Sequence, residues 1–331
     1  MSRDALAERI ENIAPQQFDA LALEVFRYQA AHNPIYAHYL ELLQLAPPQV
    51  SRRTDIPHLP ISVFKHHRLQ TGAWTARRTF TSSGTTGAAT SHHPLRDEEW
   101  YRRGARRTFE RQYGGLAGRA VLALLPAYLE RTGSSLIFMA QDFVERSGHP
   151  DSGFFLNDLG ELSRRLRRLV DAGTPTLLLG VSFALLDLAE RHPQSLGEAI
   201  IMETGGMKGR RRELTRRELH DTLKEAFDVQ HIHSEYGMTE LLSQAYAPRG
   251  GIFVPAPTLR LSPREVTDPF ARAAFGRTAA LNLTDLANLD TISFIASDDL
   301  GRVYADGTFE VLGRMDYSDV RGCNLLVGAE G

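Results

Sequence analysis

Thr79-Phe80-Thr81-Ser82-Ser83-Gly84-Thr85-Thr86-Gly87 is built almost entirely of hydroxyl residues and glycines, directly after Arg77-Arg78. Glycines let a backbone bend until consecutive N–H groups face one anion. Ser and Thr hydroxyls rotate to donate to phosphate oxygens. The β-like Thr79-Phe80-Thr81 in front gives the strand-then-loop order of phosphate loops. By composition alone the stretch is equally an ordinary Ser/Thr/Gly turn. It is not the P-loop ATPase pattern, because no Gly-Lys-Ser/Thr closes it.

On either side the chain alternates. Residues 1–45 read as helical, with Phe18, Leu21, Ala22, Val25 and Phe26 on one stripe. Pro47-Pro48, Pro57 and Pro60 break that pattern, and Ile56–Lys65 reads as extended, with Lys65 free to reach an anion or to stay solvated. After the loop a helix holds Trp100, Tyr101 and Phe109. Ala120–Leu125 is a buried strand, residues 134–144 are helical, and Leu162, Leu166, Leu169 and Val170 mark a helix stopped by Gly173. Thr176–Gly180, Ala199–Glu203 and Val229–His233 follow as strands, separated by helices at Phe183–Ala189 and Leu214–Phe227. Such alternation predicts an α/β fold, a parallel sheet with helices on its faces. After Pro255 short strands dominate: Ala279–Leu283, Thr291–Ala296, and Arg302–Tyr304 paired with Thr308–Leu312 around Asp306-Gly307.

Composition bounds the function. The 331 residues are 42% hydrophobic and 24% charged, with 38 Lys+Arg against 40 Asp+Glu, net charge −2. That balance gives no reason to expect nucleic acid as partner. The arginine clusters at 164–168, 210–212 and 216–217 read as solvated helix faces. A single cysteine, Cys323, excludes an internal disulfide and a multi-cysteine zinc site. No apolar run approaches a membrane span and Met1-Ser2-Arg3-Asp4 opens no signal peptide, so the expectation is a cytoplasmic protein.

A second motif stands at the end of the fourth strand: His233-Ser234-Glu235-Tyr236-Gly237-Met238-Thr239-Glu240. Open parallel sheets bind ligands at the carboxyl ends of their strands. Tyr236 there suits base stacking, Thr239 a phosphate, and Glu240 a hard cation such as Mg²⁺. Alone, the pattern also fits a turn leading into a helix.

The two motifs in this order, 152 residues apart (Gly84 to Tyr236), together with Ser297-Asp298-Asp299-Leu300-Gly301 and Gly313-Arg314-Met315-Asp316, resemble the adenylate-forming superfamily of acyl-CoA synthetases, luciferases and adenylation domains. Leu59–Lys65, Pro126–Arg131 with Ser134-Ser135-Leu136, Gly205-Gly206-Met207-Lys208 and Arg321-Gly322-Cys323 are similar to the LuxE-type acyl-protein synthetase family. Phenylacetate–CoA ligases are near relatives, but their frequent cysteine-rich zinc site has no counterpart here. The resemblance implies an adenylate-forming N-terminal domain: mostly parallel sheets flanked by helices, and a small β-rich subdomain at the C-terminal end. Residues 1-255 would form the helical N-terminus and α/β adenylation core, and residues 256-331 the β-rich part ending at the hinge motif.

It also implies ATP and Mg²⁺ as cofactors and a carboxylic or fatty acid as substrate. The acyl acceptor would be a protein, a carrier or CoA. Ser82, Ser83, Gly84, Thr85, Thr86 and Gly87 would hold phosphates. Tyr236, Gly237 and Thr239 would contact the nucleotide. Asp299 and Arg314 would contact the ribose, and Glu240 the metal. The acid would lie near Tyr128, Gly205 and Gly206. Two departures stand out: the phosphate loop ends Gly87-Ala88-Ala89-Thr90 without Pro-Lys, and the sequence stops soon after Gly313-Arg314. The superfamily's mobile C-terminal domain and its catalytic lysine are therefore expected to be absent, leaving Lys208, Lys65 or Arg314 to take the lysine's place. Cys323 reads either as an inert small hydrophobe or, by the resemblance, as the thiol that receives the acyl group. The rival expectation is a non-catalytic nucleotide- or acyl-binding protein.

Overall fold

The computed structural model describes residues 2–82, 89–126, 133–156, 158–205 and 214–315. The N-terminal third opens on three helices: α1 (Arg3–Glu11), α2 (Phe18–His32) and α3 (Pro34–Leu42). Their boundaries follow capping chemistry: the Ser2 hydroxyl accepts from Ala5 N–H, and Asn33 accepts from Tyr36 N–H just ahead of Pro34. The stripe Phe18, Leu21, Ala22, Val25 and Phe26 is the buried face of α2. The short β1 (Leu59–Pro60) is followed by a single turn, α4 (Val63–His66). The extended segment expected through Lys65 therefore ends at Pro60. Burial of Phe64 against the His93 ring, 5.5 Å between centroids, holds the following turn as a helix. β2 (Arg78–Thr81) and β3 (His92–Leu95) pair antiparallel on either side of residues 83–88.

Next come α5 (Glu98–Tyr113), β4 (Ala120–Leu124), α6 (Ser135–Ser147), β5 (Gly153–Phe155), α7 (Leu159–Asp171), β6 (Thr176–Val181), α8 (Ser182–Arg191), β7 (Ile200–Thr204), α9 (Arg216–Phe227) and β8 (His233–Tyr236). Asp97, Ser134 and Asp158 cap α5, α6 and α7, and Thr215 with Glu218 forms a capping box on α9. β4 and β6 are buried at every residue, as the centre of a covered parallel sheet requires. β9 (Ala245–Ala247) and β10 (Val254–Pro255) return antiparallel, so one seven-stranded sheet runs β10-β9-β8-β7-β6-β4-β5, parallel from β5 through β8.

β11 (Leu259–Arg264), β12 (Ala279–Asp285), β13 (Phe294–Val303) and β14 (Phe309–Arg314) complete a second sheet, mostly antiparallel, in which β1 lies parallel to β13. Two shifts from the sequence reading matter. The fourth parallel strand occupies His233–Tyr236 rather than Val229–His233, which carries Glu235 and Tyr236 into the sheet. The strands expected at Thr291–Ala296 and Arg302–Tyr304 are parts of one strand, β13, which turns at Asp306-Gly307 into β14. Gly307 sits at φ +86°, a conformation glycine adopts without strain.

Two apolar cores result. One joins the parallel sheet to α5–α9, and the other joins α1–α3 to the second sheet. Trp100 packs against both, and its indole N–H donates to Ala287 O at 2.9 Å. No helix among the described residues is long and apolar enough to cross a membrane.

Candidate active site

The carboxyl ends of β7 and β8 lie side by side, with Glu203 opposite Ser234 and Thr204 opposite Glu235. Beyond them Tyr236 turns toward the second sheet. Its ring meets Phe253 and Phe309 edge-on, at 5.8 and 5.4 Å between centroids. Its hydroxyl donates to Asp299 Oδ2 at 2.8 Å. The other oxygen, Asp299 Oδ1, accepts from Arg314 Nε at 3.1 Å, where β13 and β14 hold Asp299 opposite Arg314. Three motif residues far apart in the chain thus meet around one carboxylate. The contact spends the Tyr236 hydroxyl on Asp299 and leaves the ring only 8% exposed. Gly237 follows, and a Cβ there would stand 2.5 Å from Glu235 Oε1, so the turn needs the missing side chain.

Glu240 is buried within electrostatic reach of Tyr236, Asp299 and Arg314. Burial pushes its carboxyl pKa up, with the nearby Ser91 hydroxyl and Arg314 opposing. Ser91 Oγ, itself buried, completes no regular hydrogen bond among the described residues. The turn after Glu240 is tied down from the second sheet. Asn288 Nδ2 donates to Glu240 O at 2.8 Å, and Asn288 Oδ1 accepts from Leu242 N–H at 3.0 Å. Asp285 accepts from the N–H groups of Leu242, Ser243 and Ala287 and from the Ser243 hydroxyl, at 2.6 to 3.0 Å.

From β3, His93 reaches the same motif. Its Nδ1 lies 2.9 Å from Thr239 O and its Nε2 2.9 Å from Thr291 Oγ1. A carbonyl oxygen only accepts, so Nδ1 carries the proton and Nε2 accepts from Thr291. Burial lowers the His93 pKa to about 4, so the ring is neutral at pH 7. Sequence reading missed His93, Asp285 and Asn288. The one local signal was the Asx turn of Asp285 onto Ala287 N–H.

The phosphate-type stretch is described only at its ends. Ser82 N–H donates to Ser91 O at 3.1 Å, and Ser82 Oγ accepts from Ser91 N–H at 2.8 Å. Ser82 therefore clamps the base of the segment beside Ser91, the neighbour of Glu240. Ser83, Gly84, Thr85, Thr86 and Gly87 lie outside the described residues, as do Tyr128, Gly206, Lys208 and Cys323. Gly205 is described: it ends β7 at φ +68° and accepts from Ser182 Oγ at 2.8 Å. The structure thus joins Tyr236, Glu240, Asp299, Arg314 and the Ser82 clamp, while Gly205 stands on the neighbouring strand end.

Two buried carboxylates at those strand ends have been driven apart. Burial lifts Glu203, but the His220 ring and the Arg216 guanidinium, each 3.5 Å from Oε1, more than offset it, and its pKa is lowered. Among the described residues no guanidinium opposes the burial of Glu235 in this way. Burial raises its pKa to about 7, the charge of Glu203 adds to the rise, and the Thr204 hydroxyl, donating to Oε2, opposes it. A carboxyl raised in this way gives full stability below its unfolded pKa and loses it as pH rises through about 7. Glu235→Gln should therefore stabilise the protein at pH 8 by an amount on the order of 3 kcal/mol, and much less at pH 5. Urea unfolding at both pH values measures this. An equal gain at the two would show that Glu235 does not carry the pH dependence.

As to a metal, no group of three or more His, Cys, Asp or Glu among the described residues is placed to hold an ion. Glu240, a single buried carboxylate, fits instead the pattern in which Mg²⁺ takes one or two carboxylates plus substrate phosphates.

No family model matches the chain, and no curated protein does. Solved structures do. MatB from Rhodopseudomonas palustris, crystallised with ATP, superposes with a TM-score of 0.54 and 16% identity over 73% of this chain and 49% of MatB. 2-Hydroxyisobutyryl-CoA ligase, in an open conformation with 2-HIB-AMP and CoA, gives 0.66 and 14% identity over 90% of this chain and 70% of the ligase. The same ligase in the postadenylation state gives 0.66 over 93% and 70%. The chain spans about half the length of MatB. The chain shares its fold with these solved structures, a mixed α/β fold with a mostly parallel sheet and helices.

Proposed function

We propose that this protein activates a carboxylic acid, a fatty acid in the first instance, with ATP, and passes the acyl group to a thiol. The observation that carries this reading is the junction of Tyr236, Asp299 and Arg314, with buried Glu240 beside it, on this fold. Tyr236 brings the β8 motif and Asp299 the β13 motif into one contact, so one nucleotide can touch both.

In this reading Ser82–Gly87 cradle the β- and γ-phosphates and Thr239 adds a hydroxyl to them. Gly237 allows close backbone approach, and the ring of Tyr236 packs against the base. Asp299 accepts from the ribose hydroxyls while Arg314 holds it in place. Tyr128, Gly205 and Gly206 make room for the acid. A carboxylate oxygen attacks the α-phosphorus, the bond to the β-phosphate breaks, and pyrophosphate leaves with that electron pair. The product is a mixed anhydride, the acyl adenylate. Both reactants are anions, so alignment and charge neutralisation supply most of the rate. Lys208 and Arg314 provide fixed positive charge, and Glu240 would hold Mg²⁺, which would supply neutralisation of the triphosphate. Hydroxylamine tests the step: with ATP and acid the adenylate is trapped as an acyl hydroxamate. No hydroxamate from aliphatic, aromatic or amino acids would exclude the activation.

The thiol is proposed to be Cys323. Its thiolate attacks the acyl carbon and AMP leaves. Arg321, two residues before it in the sequence, would favour the thiolate. Cys323→Ser is expected to make adenylate at the parent rate and to lose all hydroxylamine-labile protein labelling from radioactive acid plus ATP. CoA as an external thiol is the second reading, favoured by the likeness to a ligase crystallised with CoA. It is the right one if the parent never labels while CoA is consumed.

A further inference from the structure

Lys65-His66-His67-Arg68 is a run of four basic residues, all exposed, between two anchors, Phe64 and Leu69, that are almost wholly buried. The run is fixed at its backbone: Lys65 N–H donates to Ser62 O at 3.0 Å and His67 N–H to Val63 O at 2.9 Å. Just beyond it, Thr71 N–H donates to Asp290 O at 2.9 Å. Opposite stands the β2–β3 hairpin, which contributes Thr79 and His92. Between the two walls lies a cleft of about 540 Å³, within the size range of small-molecule sites. Among the described residues no acidic one lines it.

Lys65 and Arg68 carry fixed positive charge there, and three imidazoles and the Thr79 hydroxyl offer further donors. A dry apolar floor is limited to Phe64, Ala76 and Pro94. Such a lining suits a compact, multiply charged anion with many acceptor oxygens. A monocarboxylate would leave most of the donors unmatched, and a neutral ligand would leave the charge unmatched.

From this we infer that the cleft, whose described lining shares no residue with the proposed nucleotide loop, is a binding site for a diphosphate-bearing anion. Two sources share this chemistry: inorganic pyrophosphate, and the phosphorylated nucleotide end of a CoA-type thiol. The inference does not depend on acid activation, because binding is read without acid or ATP.

The test is calorimetric titration of the full chain with sodium pyrophosphate in magnesium-free buffer. The parent should bind. Lys65→Glu with Arg68→Glu should weaken binding by about tenfold for each side chain, with an unchanged melting temperature, since both side chains are exposed. Thr85→Ala with Gly87→Val, in the proposed nucleotide loop that would itself hold the β- and γ-phosphates, should keep the pyrophosphate site that the cleft variant weakens. Competition by 3′-phosphoadenosine 5′-diphosphate at lower concentration than ADP assigns the cleft to the CoA-type thiol, and its failure to compete assigns it to pyrophosphate. No binding by the parent, equal binding by the cleft variant, or loss of every pyrophosphate site in the loop variant would each overturn the inference.

Discussion

Asp285→Ala is expected to lower the unfolding free energy by about 3–5 kcal/mol. Asp285 is fully buried and accepts four hydrogen bonds, from Leu242, Ser243 (twice) and Ala287. Alanine would leave the buried Ser243 N–H and the part-buried Ala287 N–H without an acceptor, while Leu242 N–H keeps Asn288 Oδ1 and the Ser243 hydroxyl keeps Thr258 Oγ1. Each orphaned donor costs about 1–3 kcal/mol. Domains of ordinary stability hold about 5–15 kcal/mol in total, so the variant should lose a large fraction of its stability. Asp285→Asn keeps the shape and one acceptor oxygen and should lose roughly half as much. Urea unfolding of the three proteins checks both values. An alanine variant within 1 kcal/mol of the parent would mean that the turn after Glu240 does not depend on Asp285.

Glu240→Gln is expected to act in the opposite sense on stability and with greater force on activity. Glu240 is buried with its pKa raised by that burial, so its charge is a cost to the folded state. The amide removes the charge, and the melting temperature should stay level or rise. Turnover that depends on Mg²⁺ should fall by about 100-fold or more, because a neutral amide is a poorer ligand for a hard cation and leaves the triphosphate charge less well neutralised. Nucleotide affinity measured without metal should change little, since Asp299 and Tyr236 are untouched. A residue whose loss gains stability and removes function has been kept for function. If turnover and its Mg²⁺ dependence survive, Glu240 serves only the turn that it begins.

What could be read in the sequence follows from where burial is complete. β4 and β6 are apolar end to end because helices cover both faces of the sheet, and the α2 stripe is apolar because one face meets the second sheet. β8 was placed three residues early, since His233-Ser234-Glu235-Tyr236 has no apolar run. Its buried polar side chains are held by partners on other elements, with Ser234 near His220 and Glu235 bound by Thr204. β3 escaped for a related reason: His-His-Pro does not resemble a strand, yet His93 and Pro94 are buried. Apart from the Asx turn of Asp285, the residues that fasten the site left no local trace. Gln29 on α2 donates to Asn288 O, Leu289 O and Ser293 Oγ and accepts from Ser293 N–H, across more than 250 residues. Contacts of that separation have no periodicity to betray them. Asp299 and Arg314 were singled out through the ordered motifs alone; neither is remarkable in its own stretch of sequence.

The most direct measurement is exchange of radioactive pyrophosphate into ATP, run with a panel of carboxylic acids, Mg²⁺ and the full chain. Exchange requires that an acid displace pyrophosphate from ATP and that the step reverse, and it needs no acyl acceptor. The expected result is exchange that appears only when an acid is added, is greatest with fatty acids, and falls by about 100-fold in Glu240→Gln. Nucleotide binding with no acid-dependent exchange across the whole panel would contradict acid activation and leave a nucleotide-binding protein on an adenylate-forming fold.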